Sequence, residues 1–268
     1  KNIGSETINL NLVRFTNGVD FTFPSIELPA AKYILVVKDQ AAFSAQYPNF
    51  SGLVAGQYSG SLANEGERIR LEDAVGQTIL DFKYSDTWRE ITDGQGFSLT
   101  NINPANPDAN SWGEKDSWRA SAFYGGSPGW DDAGIIPEPG AIVINEVLAH
   151  SHAEASDWIE LYNTTDKPIN IGGWFLSDSD TDLTKYQIAD GTVIAADGYL
   201  VFYQDQHFGN AAAPGCHTPF ALSENGDQVY LSSAQGGVLT GYQELEDFGA
   251  SETGVAFGRY YKASTDNY

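Results

Sequence analysis

The sequence predicts an all-β protein built as two β-sandwich units in tandem. Three observations carry that prediction. Short runs rich in β-branched and aromatic residues recur between clusters of Gly, Asn, Asp and Pro. The sequence repeats itself at long range. No stretch sustains a helical apolar period beyond one or two turns, the best being "DQAAFSAQY" at 39–47.

The strands follow in chain order. In "INLNLVRF" (8–15), Ile8, Leu10 and Leu12 alternate with Asn9, Asn11 and Val13, the period of one half-buried strand. "VDFTF" (19–23), "KYILVV" (32–37), "ERIRLED" (67–73) and "QTILDFKY" (77–84) come next. "YLVFY" (199–203) and "QVYLSS" (228–233) have the same composition. Asn225–Gly226 is a hairpin-turn signal, because a type I′ turn needs positive φ at both central residues. Many short strands at regular spacing predict a sandwich in each half.

The repeat fixes the organisation. "KYILVVKDQ" (32–40) aligns with "GYLVFYQDQ" (198–206) at an offset of 166 residues. "SLANEGERIRL" (61–71) aligns with "ALSENGDQVYL" (221–231) at an offset of 160, and "GFSLT" (96–100) with "GVAFG" (254–258) at 158. An offset that drifts by a few residues is what loop insertions produce. The prolines and glycines of "DDAGIIPEPGA" predict a linker over 134–140, between domains at 1–133 and 141–268.

Charge bounds the partners. With 14 Lys+Arg against 36 Asp+Glu, the 268-residue chain carries a formal charge of −22, which repels phosphate backbones and excludes nucleic acid as a partner. Cys216 is the one cysteine, so no intramolecular disulfide is expected. No apolar run approaches the roughly 20 residues of a membrane span, so no membrane insertion is expected. The start "KNIGSETINL" has neither an initiator methionine nor an apolar signal, which reads as a processed product or an excised fragment.

Three motifs of the second half carry a resemblance. They are Ile144-Asn145-Glu146-Val147, Trp158-Ile159-Glu160-Leu161-Tyr162-Asn163 and Ile171-Gly172-Gly173-Trp174-Phe175-Leu176-Ser177-Asp178. Together they resemble the bacterial lamin tail domain, over nearly all of 141–260. The first half resembles the same family from "INLNLVRF" onward and ends in its W-R-A-S and G-G-S-P-G closing signature (118–121 and 125–129). It lacks the I-x-E-V and W-I-E-L opening strands, and the second half stops short of the closing signature. The resemblance implies two immunoglobulin-like β-sandwiches in a secreted or cell-surface bacterial protein. It also implies neighbours such as hydrolases or nucleases in the parent chain.

Several residues invite chemistry. Glu146 and Glu160 could form an acid–base pair of the kind that cleaves glycosides, but as neighbours on paired strands they read as a hairpin contact. His150, His152 and Glu154 share one face of an extended segment and suit a transition metal. Asp178, Asp180 and Asp182 offer oxygen ligands to calcium, without the glycine and distal glutamate of an EF-hand; the first copy has only Asp20 there. His207 and His217 read as loop histidines, and Cys216–His217 cannot act as a dyad because adjacent side chains in an extended chain diverge. Trp158 and Trp174 read as core, whereas Trp88, Trp112, Trp118 and Trp130 are expected to be partly exposed and suited to a polysaccharide or protein contact.

No residue set supplies nucleophile, base and oxyanion stabiliser together, so no enzyme is expected. The sequence is read as a non-catalytic extracellular interaction or structural module, needing no cofactor and binding a protein partner or itself through sheet edges. The alternative is an accessory domain that binds calcium or carbohydrate beside a secreted hydrolase or nuclease.

Overall fold

The computed structural model describes residues 1–106 and 108–260, so residues 261–268 of the expected 141–268 domain lie outside the described residues. The chain is all-β, and its contacts divide it into two units between Ile135 and Ile136.

The first unit opens with β1 (Ile8–Asn9), β2 (Arg14–Asn17), β3 (Val19–Thr22), β4 (Glu27–Leu28) and β5 (Ile34–Val37). After helix α1 (Gln40–Gln46) come β6 (Leu53–Gln57), β7 (Ser59–Gly60), β8 (Arg68–Glu72) and β9 (Thr78–Lys83), then β10 (Leu99–Asn101) and β11 (Trp118–Ala120). Five of these strands form one sheet in the order β7-β3-β2-β8-β9. The others pair two by two: β1 with β4, β5 with β6 in parallel, and β10 with β11. Asp39 caps α1 by accepting from Ala42 N–H at 2.8 Å, and the helix lasts only seven residues, as the sequence suggests.

The second unit holds β12 (Ile142–Leu148), β13 (Trp158–Asn163), β14 (Ile169–Asn170), β15 (Phe175–Ser177) and β16 (Tyr186–Gln187). It continues with β17 (Val193–Ile194), β18 (Tyr199–Tyr203), β19 (Gly226–Gln235), β20 (Val238–Gly249) and β21 (Phe257–Gly258). One sheet runs β18-β13-β12-β21 and the other β16-β15-β19-β20, with β14 and β17 paired beside them. Tyr242 of β20 ties the two sheets together: its hydroxyl accepts from Ile142 N–H at 2.9 Å and donates to Ile142 O at 2.5 Å. Ile142, Ile144, Ile159 and Leu161 from one sheet and Leu176, Val229 and Leu231 from the other are all at most 1 % exposed. Each such side chain contributes about 1.5–3 kcal/mol of burial.

The order β3-β2-β8-β9 of the first unit recurs as β16-β15-β19-β20 in the second, and the β1–β4 pair recurs as β14–β17. Two expectations change. "INLNLVRF" is not one strand: the chain turns between β1 and β2, where Leu12 takes φ +63° and stands 52 % exposed while Leu10 is buried. The turn at Gly236–Gly237, with φ of +58° and +79°, joins β19 to β20 and is the two-residue hairpin; Asn225 instead leads into β19. Glycine adopts positive φ without steric cost, so the Gly236–Gly237 pair supplies both central positions of the turn.

Candidate functional site

The opening hairpin of the second unit brings Glu146 and Glu160 opposite each other in register. Asn145 donates its amide to Glu160 Oε1 at 2.8 Å, and Gly258 of β21 packs against the Glu146 side chain. Burial, and then the neighbouring Glu160 charge, raise the Glu146 carboxyl above its ordinary range. The cleft beside it, bounded by Phe257, Arg259 and Glu246, holds about 100 Å³. Sites for small molecules occupy roughly 300–1,000 Å³. The pair is thus a cross-strand contact with room for water rather than for a sugar.

The motif's other polar residue has a structural office. Asn163 is fully buried, and its Nδ2 donates to Lys167 O, Ile194 O and Ala195 O at 2.8–3.1 Å. Its Oδ1 accepts from Thr165 N–H and Thr165 Oγ1. In the third motif, Gly173 takes φ +83°, and a Cβ on Gly172 would stand 2.5 Å from Gly191 N. Trp174 is buried and Trp158 half-buried.

The cation candidates are spread out. His150 Nδ1 lies 3.1 Å from Ser251 O, while its Nε2 lies 3.0 Å from Thr253 Oγ1 and 3.3 Å from Glu224 Oε2. His152 and Glu154 are exposed on the following turn. Asp178 is paired with Lys185 Nζ at 2.5 Å, Asp182 accepts from Thr184 N–H and Oγ1, and Asp180 is exposed. Among the described residues, no three His, Cys, Asp or Glu side chains converge as a metal site would require. His217 Nδ1 reaches Thr184 O, and His207 Nδ1 accepts from Tyr203 N–H. Burial raises the Cys216 thiol, the opposite of nucleophile activation.

Of the four tryptophans of the first unit, Trp118 departs from the expected partial exposure. Trp118 is buried at 7 % exposure, packed 5.4 Å from both Phe82 and Trp112 and 6.2 Å from Trp88. Trp88 and Trp112 are half-buried, and Trp130 alone of the four is largely exposed. Rings seek one another where a small core is short of apolar cover, and this cluster serves as core.

Sequence reasoning missed two features of this unit. The first is a buried ion pair: Arg119 Nη2 lies 2.5 Å from Asp132 Oδ1, and Asp132 Oδ2 accepts from Ala122 N–H at 2.7 Å. Burial pushes the Asp132 carboxyl up, but the bonds from Arg119 and Ala122 outweigh it and hold the group below the ordinary range. The pair clamps the closing segment onto β11. Its aspartate lies in a stretch that composition alone marks as near-linker.

The second is an open groove of about 470 Å³, lined by Leu10, Val13, Phe15, Ile34, Val36 and Leu71 among others. Phe15, Ile34, Val36 and Leu71 are only half-buried. On the opposite face of β5, Tyr33 and Leu35 line a second cavity of about 470 Å³ with Leu99, Thr100 and Asn101. Among the described residues, β5 pairs only with β6 and β10 only with β11, which leaves one edge of each open. The missing opening motifs were the signal that could have located both cavities.

No helix among the described residues is long and apolar enough to cross a membrane. Residues 137–245 match the family model of the Lamin Tail Domain, a non-catalytic, immunoglobulin-like protein-interaction module. No curated protein matches the chain.

Proposed function

We propose that the chain is a non-catalytic interaction module of a larger secreted or cell-surface bacterial protein, making protein contacts or assembling through exposed sheet edges. The observation that carries this reading is the pair of open strand edges, β5 and β10, beside an apolar groove in the first unit. An unpaired edge offers a row of backbone donors and acceptors to another strand. The match of residues 137–245 to a protein-interaction family supports it from the other unit.

On this reading the first unit is a second copy of the same domain. The recurrence of strand order supports that view. No cofactor is assigned, since calcium at Asp178 would have to displace the Lys185 ammonium. Size-exclusion with light scattering over a wide concentration range tests the assembly part. Mass rising above the 29.0 kDa of one chain supports contact between sheet edges. A constant 29.0 kDa removes self-assembly and leaves contact with a different partner.

A further inference from the structure

The outer side of the β18-β13-β12 sheet carries aromatic side chains in register. Alternation sends Ile159, Leu161 and Phe202 into the core and leaves Trp158, Glu160 and Tyr162 half-buried on the other side. Tyr199 stands opposite Tyr162, and Tyr203 opposite Trp158. The Tyr162 and Tyr199 rings stack with centres 4.5 Å apart and planes 20° from parallel, and the Tyr162 hydroxyl donates to Asp197 Oδ1 at 3.4 Å. Tyr199 is 57 % exposed and Tyr203 38 %, so each ring pair offers one open face to solvent.

Between the two ring pairs lies a charge conflict. Glu160 sits two residues from both Trp158 and Tyr162, about 7 Å along the strand from each. Across the ladder it faces Glu146, and like charges directly opposite are destabilising. Burial and then that charge raise the Glu146 carboxyl. Asn145 donates to Glu160, but among the described residues neither glutamate makes an ion pair. Arg259 borders the Glu146 cleft, but its guanidinium is bound to Glu246 and to Ile144 O. The unit as a whole has the same bias: residues 136–260 hold 18 Asp and Glu against three Lys and Arg, a formal charge of −15. A cation seated between the rings would relieve the repulsion, and a guanidinium matches both the carboxylate and the flat rings.

We propose that this aromatic and acidic face of the second unit is a docking surface for an extended, arginine-bearing basic segment of a partner protein. In an extended segment alternate side chains share a face and recur about 7 Å apart, the spacing between Glu160 and each ring pair. Arginines at i, i+2 and i+4 therefore meet Tyr199, Glu160 and Tyr203 in turn. The central guanidinium takes the Glu160 carboxylate, with Glu146 beside it, and the outer two lie over the tyrosine rings. The surface is a sheet face of the second unit, so it goes beyond the strand-edge contacts of the first and stands or falls separately from them.

The test is calorimetry of the full chain with a capped peptide of four Arg-Ser repeats, beside the same peptide with Lys or with Gln in place of Arg. The expected result is saturable 1:1 binding of the Arg peptide, at least about fivefold weaker for Lys and absent for Gln. Tyr199→Ala and Glu160→Gln should each weaken the Arg peptide at least about tenfold. Glu160→Gln keeps the acceptor for Asn145 and removes the repulsion, so the variant should melt no lower than the parent chain. Asp190→Asn, the same charge change at an exposed turn, should alter affinity less than about twofold. Equal losses for Glu160→Gln and Asp190→Asn would reduce the binding to diffuse attraction by a chain of charge −22 and overturn the inference. Absence of saturable binding overturns it too. Binding of cellohexaose instead, lost in Tyr199→Ala, would reassign the face to a glycan and overturn it as well. None of these outcomes touches the strand-edge reading, which the mass measurement tests on its own.

Discussion

Leu231 and Leu71 hold the same place in their sheets, yet one is sealed and the other half open to water. The second unit covers its β15-β19 sheet with two central strands, and eleven of the twelve largest fully buried side chains lie there. Among the described residues, the first has the corresponding sheet with no such pair of strands beside it. It compensates by other means: a tryptophan cluster, and a buried ion pair that fastens its closing segment. The contrast teaches that strand pairing and core closure are separable. The order β3-β2-β8-β9 forms with its inner face uncovered, because each ladder satisfies its own backbone groups.

The largest break in that comparison should come from paired truncations. Leu231→Ala is expected to cost about 3–5 kcal/mol, since it empties a sealed core, whereas Leu71→Ala should cost about 1–2 kcal/mol at a site water already reaches. Denaturant unfolding followed on each unit reads the two values, and equal costs would mean that the groove is closed in solution. Asp132→Asn should cost the first unit about 3–5 kcal/mol, because it leaves the Arg119 charge buried and unpaired.

That same carboxylate sets a pH dependence. Its folded pKa is depressed, so its stabilisation is present above the unfolded value near 3.9 and is lost as pH falls from there through the folded pKa. Acid titration of the first unit should lose that part of its slope in Asp132→Asn. Next in size, Tyr242→Phe should destabilise the second unit by about 1–3 kcal/mol, as Ile142 N–H loses its acceptor in a dry core. The smallest change should be a gain. Leu12 at φ +63° stands where the other unit has Gly173 at φ +83°, so Leu12→Gly should stabilise the first unit by about 1 kcal/mol, read as a rise in its melting temperature.

Leu12 also shows where sequence reasoning stops. Period and composition located "KYILVV", "ERIRLED" and "YLVFY" as strands, because those signals are local. The alternation of Ile8, Leu10 and Leu12 looked like one strand because a leucine gives no hint of a left-handed backbone. Only the glycine at the aligned place announces the turn. The parallel pairing of β5 with β6 was illegible for a different reason: a partner across a helix leaves no mark in either strand. The hairpin reading of Glu146 and Glu160 followed from two adjacent strand patterns, and their register agrees with it. Nothing marked Arg119 and Asp132 as partners, since burial of a charge is a property of the assembled fold. The Asp178 and His150 clusters were legible as composition alone. Side-chain direction then gave Asp178 to Lys185 and His150 to the 251–253 turn.

The glycine pair at 236–237 bears on the order of events during folding. It closes the two longest strands, of ten and twelve residues, with the shortest loop in the second unit. Little chain entropy is lost in closing so short a loop, so the β19–β20 ribbon can zip early, whereas the β12–β13 hairpin meets its covering sheet only across a separation of 100 residues, as between Ile142 and Tyr242. As the nascent chain emerges, β12 and β13 therefore spend time exposed before their covering sheet exists. If the ribbon is the nucleus, Gly237→Ala will slow refolding, and Ile144→Val will chiefly speed unfolding; stopped-flow chevrons showing the reverse would place the nucleus in the opening hairpin.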